Sequence, residues 1–334
     1  METVVVEKAD IEFYRVSSPA NPKTAWQIES LLLRIFEYGD YSFRSALSGR
    51  YCDELNCVFF IDKNNGAVIA AAGSLYARRN PAICILGPVC VDIPFRRKGL
   101  ATELCGLLLL HLKTQGCQAI YLGVGQDGPA AGLYKKLGFE RYKGIVMRKL
   151  FCSEGQFSDR FSACKQIKIR RMSWVDYPAV SALMCEPAAI YTFDFYGGIY
   201  SARYVEPQKY LQVFPEMMKS FEKYGGFANV LLSGNDRSLA GIAHISGLSS
   251  PAQRHIAVLD FFVHDNFINQ AAALVSETIH QFSCLSVQRV ISYCPACDQK
   301  KQSILKSLGA KTIAVLPQYV CINNQCTDVF VYGM

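Results

Sequence analysis

Two landmarks recur at nearly one spacing along this chain: Val91, which ends an apolar run, is matched by Val263, and Leu137-Gly138 by Leu308-Gly309, each roughly 172 positions on. A repeat of that length calls for two copies of one domain-sized fold, and 334 residues have room for both. In the first copy, alternating or apolar runs predict strands over 11–16, 57–62, 67–76, 82–91, 118–124 and 140–150. Helical patterns predict helices over 25–38, 42–52, 99–114 and 129–137. Lys63-Asn64-Asn65-Gly66 predicts a hairpin, because Asn and Gly tolerate positive φ. The series restarts with strands at 167–172, 229–233, 238–245, 257–263 and 287–293 and helices at 174–184 and 269–282. The expected fold class is α/β: two tandem domains, each a mixed, mostly antiparallel central sheet flanked by helices. Their expected bounds are 1–151 and 166–334, with a polar linker at 152–165. The second copy carries a longer insert, 188–226, rich in Tyr191, Phe193, Phe195, Tyr196 and Tyr200, expected between the halves or in a pocket.

Composition narrows the partners. With 51% hydrophobic and 19% charged residues the chain has ample core material, which excludes wholesale disorder. A net charge of +7 favours a polyanionic ligand but falls short of a nucleic-acid-binding tail. The longest apolar stretch, 104–112, is broken by His111 and is far below the roughly 20 residues a bilayer span needs, so no membrane partner is expected. Fourteen scattered cysteines, after an opening segment bearing Glu2, Glu7 and Asp10, read as reduced thiols of a cytoplasmic protein. Cys294-Pro295-Ala296-Cys297 has a spacing seen in zinc and redox motifs, and Cys321 and Cys326 would have to complete a metal site. Their loose spacing favours ordinary thiols and no metal.

The most informative segment is Val91-Asp92-Ile93-Pro94-Phe95-Arg96-Arg97-Lys98-Gly99-Leu100-Ala101-Thr102. A basic turn leaves a buried strand and enters a helix, whose unpaired N–H groups and positive dipole end favour phosphate. Gly99 permits close backbone approach, and small Ala101 leaves room above the first helical turn.

This loop resembles that of the GCN5-related N-acetyltransferases, which reads R/Q-x-x-G-x-G/A after a strand ending in Val. Arg96, Gly99 and Ala101 fill the pattern, with Arg97 and Lys98 between them. Gly132-Leu133-Tyr134-Lys135-Lys136-Leu137-Gly138-Phe139 resembles the family's second signature, and the likeness spans 11–150. The resemblance implies acetyl-CoA as co-substrate. The pantetheine would lie along Val89, Cys90 and Val91, and the diphosphate against Arg96, Arg97, Lys98, Gly99, Leu100, Ala101 and Thr102. Asp127 stands where family members often carry Asn, which puts its contact with the pantetheine in question. The implied reaction is direct attack of an amine on the thioester, with backbone donors of the strand stabilising the oxyanion and Tyr134 as general acid toward the sulfur. Glu29, Glu37, Asp40, Asp53 and Glu54 stand near the helices that border the acceptor cleft in this family, and Tyr121 is a weaker candidate for a water wire. Each also reads as ordinary surface or core.

The second copy looks worn. Ile268, Gln270 and Ala271 stand where Arg96, Lys98 and Gly99 do, and Leu305 replaces Tyr134. It is expected to cover the first domain or complete its acceptor cleft. Tandem chains of this kind resemble acetyltransferases that inactivate amine-bearing antibiotics, including self-resistance enzymes of the paenilamicin and zwittermicin type. Mycothiol synthase is another two-copy relative, but there the C-terminal copy is catalytic. The leading expectation is N-acetylation of a small-molecule primary amine by a monomer or homodimer. Acetylation of proteins or peptides and a non-catalytic acetyl-CoA sensor are the alternatives.

Overall fold

The computed structural model describes the chain apart from residues 1, 9–10, 37–40, 126–127, 163–165, 187, 189, 195–197, 203–209, 235–237, 249, 283–286 and 323. It divides into two units, Met1–Phe157 with Trp174–Pro178, and Ser158–Ser173 with Ala179–Met334.

In the first unit the order is β1 (Glu2–Lys8), β2 (Ile11–Ser17), α1 (Pro22–Phe36), α2 (Tyr41–Leu47), β3 (Leu55–Asn64), β4 (Ala67–Ala77), β5 (Ile83–Val91), α3 (Leu100–Thr114), β6 (Ala119–Gly123), α4 (Pro129–Lys136), β7 (Glu140–Lys143), β8 (Val146–Leu150) and α5 (Glu154–Ser158). The strands form an eight-stranded sheet in the order β1-β2-β3-β4-β5-β6-β8-β7, in which only β5 and β6 run parallel. On one face α3 buries Leu104, Leu108 and Leu112, spaced for a single helix side, against Val58, Phe60, Ala72 and Leu86. α1 buries Ile28, Leu31 and Leu32 and contacts β4 and β5.

Four features of the first unit differ from the sequence expectation. β1 precedes the strand expected to open the sheet. The run expected as one strand over 140–150 is a hairpin, β7 and β8, with Gly144 at φ 53. α2 stops at Leu47 because Gly49 (φ 94) turns the chain against Pro19, where a Cβ would fall 2.7 Å from the proline ring. Part of the stretch expected as linker folds into α5 and buries Phe157, and the first unit runs through that residue.

The second unit holds β9 (Ile167–Arg171), α6 (Tyr177–Leu183), β10 (Phe193–Asp194), β11 (Gly198–Ala202), α7 (Tyr210–Tyr224), β12 (Gly226–Ser233), β13 (Ser238–Gly247), β14 (Ile256–Val263), α8 (Ala271–Gln281), β15 (Arg289–Pro295), α9 (Gln299–Ser307), β16 (Lys311–Ile322) and β17 (Gln325–Gly333), the first residues of α6 being counted with the first unit. Its seven-stranded sheet has the order β16-β17-β15-β14-β13-β12-β9, and its one parallel pair, β14 with β15, occupies the place of β5 with β6. Both units are thus mixed, mostly antiparallel sheets flanked by helices, two α/β domains of one plan.

The hairpin of β16 and β17 sets Cys321 opposite Cys326, and the two are joined as a disulfide. That corrects the expectation that the cysteines are all reduced thiols: a tight turn holds this pair face to face. Cys294 and Cys297 are free thiols, the first buried and the second exposed. Among the described residues no group of three His, Cys, Asp or Glu side chains is placed to hold a metal, and no helix is long and apolar enough to cross a membrane.

Candidate functional site

The site begins where two parallel strands part. β5 pairs with β6 only through Ile83–Ile85 against Ala119–Tyr121, after which the strands diverge. On its other side β5 stays paired with β4 but carries a bulge, with Gly87 and Pro88 opposing the single residue Gly73. A side chain at Gly73 would collide with the Phe59 ring at 2.7 Å and approach the Gly87 carbonyl at 3.1 Å, so the bulge requires glycine there. The Asp92 N–H bonds the Ile69 carbonyl at 2.8 Å. By the alternation of an antiparallel ladder, the amides of Cys90 and Asp92 therefore face β4, while those of Val89 and Val91 face the gap. Cys90 thus does not present its backbone to the gap, and its thiol is buried.

The loop that follows is built for an anion. Asp92 caps a short 3₁₀ turn, Ile93–Phe95, by accepting from the Ile93 N–H at 2.9 Å, and its other oxygen binds Arg34 of α1 at 2.8 Å. Arg96 turns back so that its Nε donates to the Val91 carbonyl at 3.1 Å. Arg97 (φ 63) and Gly99 (φ 84) are both left-handed, a backbone form that gathers N–H groups into a concave anion-binding surface. The Thr102 and Glu103 amides bond back to the Gly99 carbonyl at 2.9 and 3.1 Å, which leaves those of Leu100 and Ala101 without a carbonyl partner inside the helix. Arg96, Arg97 and Lys98 are exposed, whereas the Leu100 side chain is buried and anchors α3. Nothing lies within 4 Å of where a Gly99 Cβ would stand, so the cradle is open. These residues fit a diphosphate.

Tyr134 is fixed by the way α4 ends. Gly138 (φ 81) closes the helix, the Phe139 N–H returns to the Tyr134 carbonyl at 3.0 Å, and the two rings meet edge to face at 5.7 Å. Tyr134 shares a packed cluster with Leu100, Leu104 and Cys105, against which Val89 and Val91 lie. Burial, then the Cys105 and Cys90 thiols, push its phenol well above the ordinary value, so it stays protonated through neutral pH. Among the described residues its hydroxyl has no hydrogen-bond partner.

On the opposite face, α1 and α2 enclose a cavity of about 490 Å³ over Phe59. Of the carboxylates expected near the acceptor, Glu29 lines it and pairs with Arg44 at 2.9 Å. Glu54 accepts the Val175 N–H at 2.8 Å and serves the fold, and Asp53 is exposed and away from the cavity lining. Glu37, Asp40 and Asp127 lie outside the described residues. Tyr121 is fully buried, its ring 6.2 Å from that of Tyr142, a core position. The bulge, the Phe59 floor and Arg44 were not among the expected site residues. The pair Gly73 and Gly87-Pro88 in successive strands was the available signal for the bulge.

Another unexpected group is Asp62 on β3, fully buried, with neither oxygen in a well-formed hydrogen bond. Burial, then Glu103 on α3, raise its carboxyl to about 6, and the nearby Lys63 amide offsets a part.

The second unit has the same gap but fills it. β14 and β15 pair only through Ile256–Val258 against Arg289–Ile291, and β14 follows β13 without a bulge. Phe261 stands where Val89 does. Its N–H is bonded by Asp260 at 2.8 Å and its carbonyl by the Thr192 hydroxyl at 2.7 Å. The preceding residue, Tyr191, is held by Asp298 at its N–H (2.6 Å) and by Lys301 at its carbonyl (2.9 Å), and Lys301 pairs with Asp260 at 2.6 Å. The insert expected near a pocket thus lends Tyr191 and Thr192 to this gap, while the side chains of Phe193, Phe195, Tyr196 and Tyr200 lie outside the described residues. In place of the basic turn, residues Asp265–Gln270 wind as a 3₁₀ helix straight into α8, Ala271 is right-handed (φ −59) and buried, and Phe161 stacks on His264 at 4.6 Å. Leu305 ends its helix by the same Gly309 cap as Tyr134 but is fully buried and carries no proton to give.

Residues 25–139 match the model of the acetyltransferase (GNAT) family. No curated protein sequence matches the chain. Solved structures similar to it include the GNAT-family acetyltransferase of Streptococcus pneumoniae, at 14% identity and TM-score 0.40 over 51% of this chain and 99% of that one. Another is yncA of Salmonella typhimurium with its cofactor acetyl-CoA, at 16% identity and TM-score 0.40 over 50% and 92%. A third is the ribosomal-protein-S5-alanine acetyltransferase of Vibrio fischeri, at 14% identity and TM-score 0.41 over 51% and 93%. The weight rests on the family match, which runs from α1 through the basic turn to Tyr134 and Phe139. The segment that carries the open gap of the N-terminal unit is thus similar to the acetyltransferase (GNAT) family, whose model it matches over residues 25–139.

Proposed function

We infer that the N-terminal unit transfers the acetyl group of acetyl-CoA directly to the primary amine of a small molecule, an amine-bearing antibiotic or metabolite, in a detoxifying or self-protective role in the cytoplasm. One observation carries the reading: a single gap is lined by the amides of Val89 and Val91, opens onto the left-handed basic turn at 96–99, and has the Tyr134 phenol in the cluster packed beside it. Bound acetyl-CoA supplies the acetyl group as a thioester. Arg96, Arg97 and Lys98 hold the diphosphate together with the amides of Gly99, Leu100 and Ala101, while the amide of Thr102, expected to join them, is taken by the Gly99 carbonyl. The Val89 and Val91 N–H groups align the pantetheine and stabilise negative charge growing on the carbonyl oxygen, a role worth roughly 3 kcal/mol per donor in comparable sites. Tyr134 keeps its proton because it is buried and delivers it to the departing sulfur as the C–S bond breaks, and the proton that the attacking amine sheds restores the phenol by way of solvent.

The C-terminal unit holds no second cofactor in this reading. The experiment is incubation of the full chain with acetyl-CoA and a panel of amines, followed by thiol release and by mass spectrometry for the gain of one acetyl group. Acetylation of protein N-termini alone would replace the small-molecule acceptor by a peptide. Binding of acetyl-CoA with no release on any amine would leave a sensor.

A further inference from the structure

The cavity between α1 and α2 states what kind of amine it accepts. Its floor is Phe59, whose ring lies against Gly73 opposite the Gly87-Pro88 bulge, so that ring stands between the cavity and the backbone at which the gap opens. Its walls are apolar, with Trp26 and Leu33 on α1 and Phe43 on α2, and Trp26 is 66% exposed although aromatic. Among the described residues the lining has one carboxylate, Glu29, and one cation, Arg44, paired at 2.9 Å. A polyamine or an aminoglycoside brings several ammonium groups into such a space. The one carboxylate among the described lining residues already faces Arg44, so most of those charges would lose water without gaining a partner. Arg44 has the opposite capacity. A guanidinium offers five N–H donors in a planar fork, and the bond to Glu29 fixes its plane while leaving others to receive a carboxylate.

Resting on the acetyl-transfer reading above, we propose that the acceptor is an amine on a bulky apolar framework that carries its own carboxylate, an α-amino acid or short peptide in kind and not a polycation. The carboxylate binds Arg44, the apolar body packs between Trp26, Leu33 and Phe43, and the amine points past Phe59 toward the bulge.

The test separates binding from transfer. Trp26 fluorescence of the full chain is titrated, without acetyl-CoA, with L-phenylalanine, L-phenylalaninamide and spermidine, and Trp26→Phe identifies the signal against the second tryptophan, Trp174. Phenylalanine is expected to bind more tightly than its amide, and spermidine to leave the signal unchanged. Arg44→Gln is expected to weaken phenylalanine at least about tenfold, the size of a lost charge-assisted hydrogen bond, and to leave the amide unaffected. Tighter binding of spermidine, no response to phenylalanine, or an equal effect of Arg44→Gln on acid and amide would overturn the assignment. Thiol release with acetyl-CoA then distinguishes the two readings. Phenylalanine binding without release on any amine sinks the transfer reading and leaves the cavity assignment, whereas release with spermidine alone does the reverse.

Discussion

The two gaps start from the same sheet plan and end as opposites. In the N-terminal unit, a bulge at Gly73 and Gly87-Pro88 shifts β5, and the amides of Val89 and Val91 face space that β6 has left. In the C-terminal unit β14 is regular, and both gap-facing atoms of Phe261 are taken by the chain itself, the N–H by Asp260 and the carbonyl by Thr192. A splayed sheet exposes backbone groups that must be paired somehow. One unit leaves them facing the gap, and the other binds its own residues Tyr191 and Thr192 in the same place. The helix cap that positions Tyr134 survives intact around Leu305, so the scaffold outlasted the chemistry.

The largest effect expected from breaking this contrast is at the plug. Lys301 is fully buried and pairs with Asp260 while holding the Tyr191 carbonyl. Lys301→Met strands that carboxylate without its cation, and a loss of roughly 3–5 kcal/mol in urea unfolding is expected. Adding Asp260→Asn should restore most of it. A loss below about 1 kcal/mol for the single variant would mean that the pair does not hold the plug.

Next in size is the chemistry. Tyr134→Phe keeps the ring and its contact with Phe139, so turnover is expected to fall about 100-fold with little change in the affinity for acetyl-CoA. An unchanged rate would show that water or another group protonates the sulfur. The asymmetry of the two turns is read by calorimetry. One acetyl-CoA per chain is expected, with about tenfold weaker binding for Arg97→Ala, and no effect for Asn269→Ala. A second equivalent of acetyl-CoA would break the comparison outright.

What the sequence disclosed of this contrast was its local part. The basic turn and the Tyr134-Gly138-Phe139 cap lie within short segments whose spacing carries their geometry, and the degenerate twin was visible as Ile268, Gln270, Ala271 and Leu305. The bulge was not, because it depends on which residue of β4 faces Gly87 and Pro88 across the ladder. The plug was hidden for the same reason: Thr192, Asp260, Asp298 and Lys301 are far apart in sequence and meet only once β14 and α9 are packed. Glu54 misled because a carboxylate that accepts a backbone N–H looks, in sequence, like one that waits for a substrate.

The smallest predicted effect sharpens the comparison in its buried acids. The second unit's Asp260 has a cation at 2.6 Å, whereas the first unit's Asp62 has none among the described residues and feels the charge of Glu103 on the helix that starts at the basic turn. A carboxyl raised from 3.8 to about 6 binds its proton more tightly folded than unfolded. Its contribution to stability is therefore fully present below about pH 4 and is lost as pH rises through about 6. Asp62→Asn removes the ionisation while keeping the shape. It is expected to raise stability by about 1 kcal/mol at pH 7.5 and to change little at pH 4, an amide still being a buried polar group. Melting temperatures of the two proteins across that range decide it. A gap between the curves that does not close toward low pH would show that Asp62 is ionised and compensated in the folded chain, and that the first unit, like the second, pairs its buried charge.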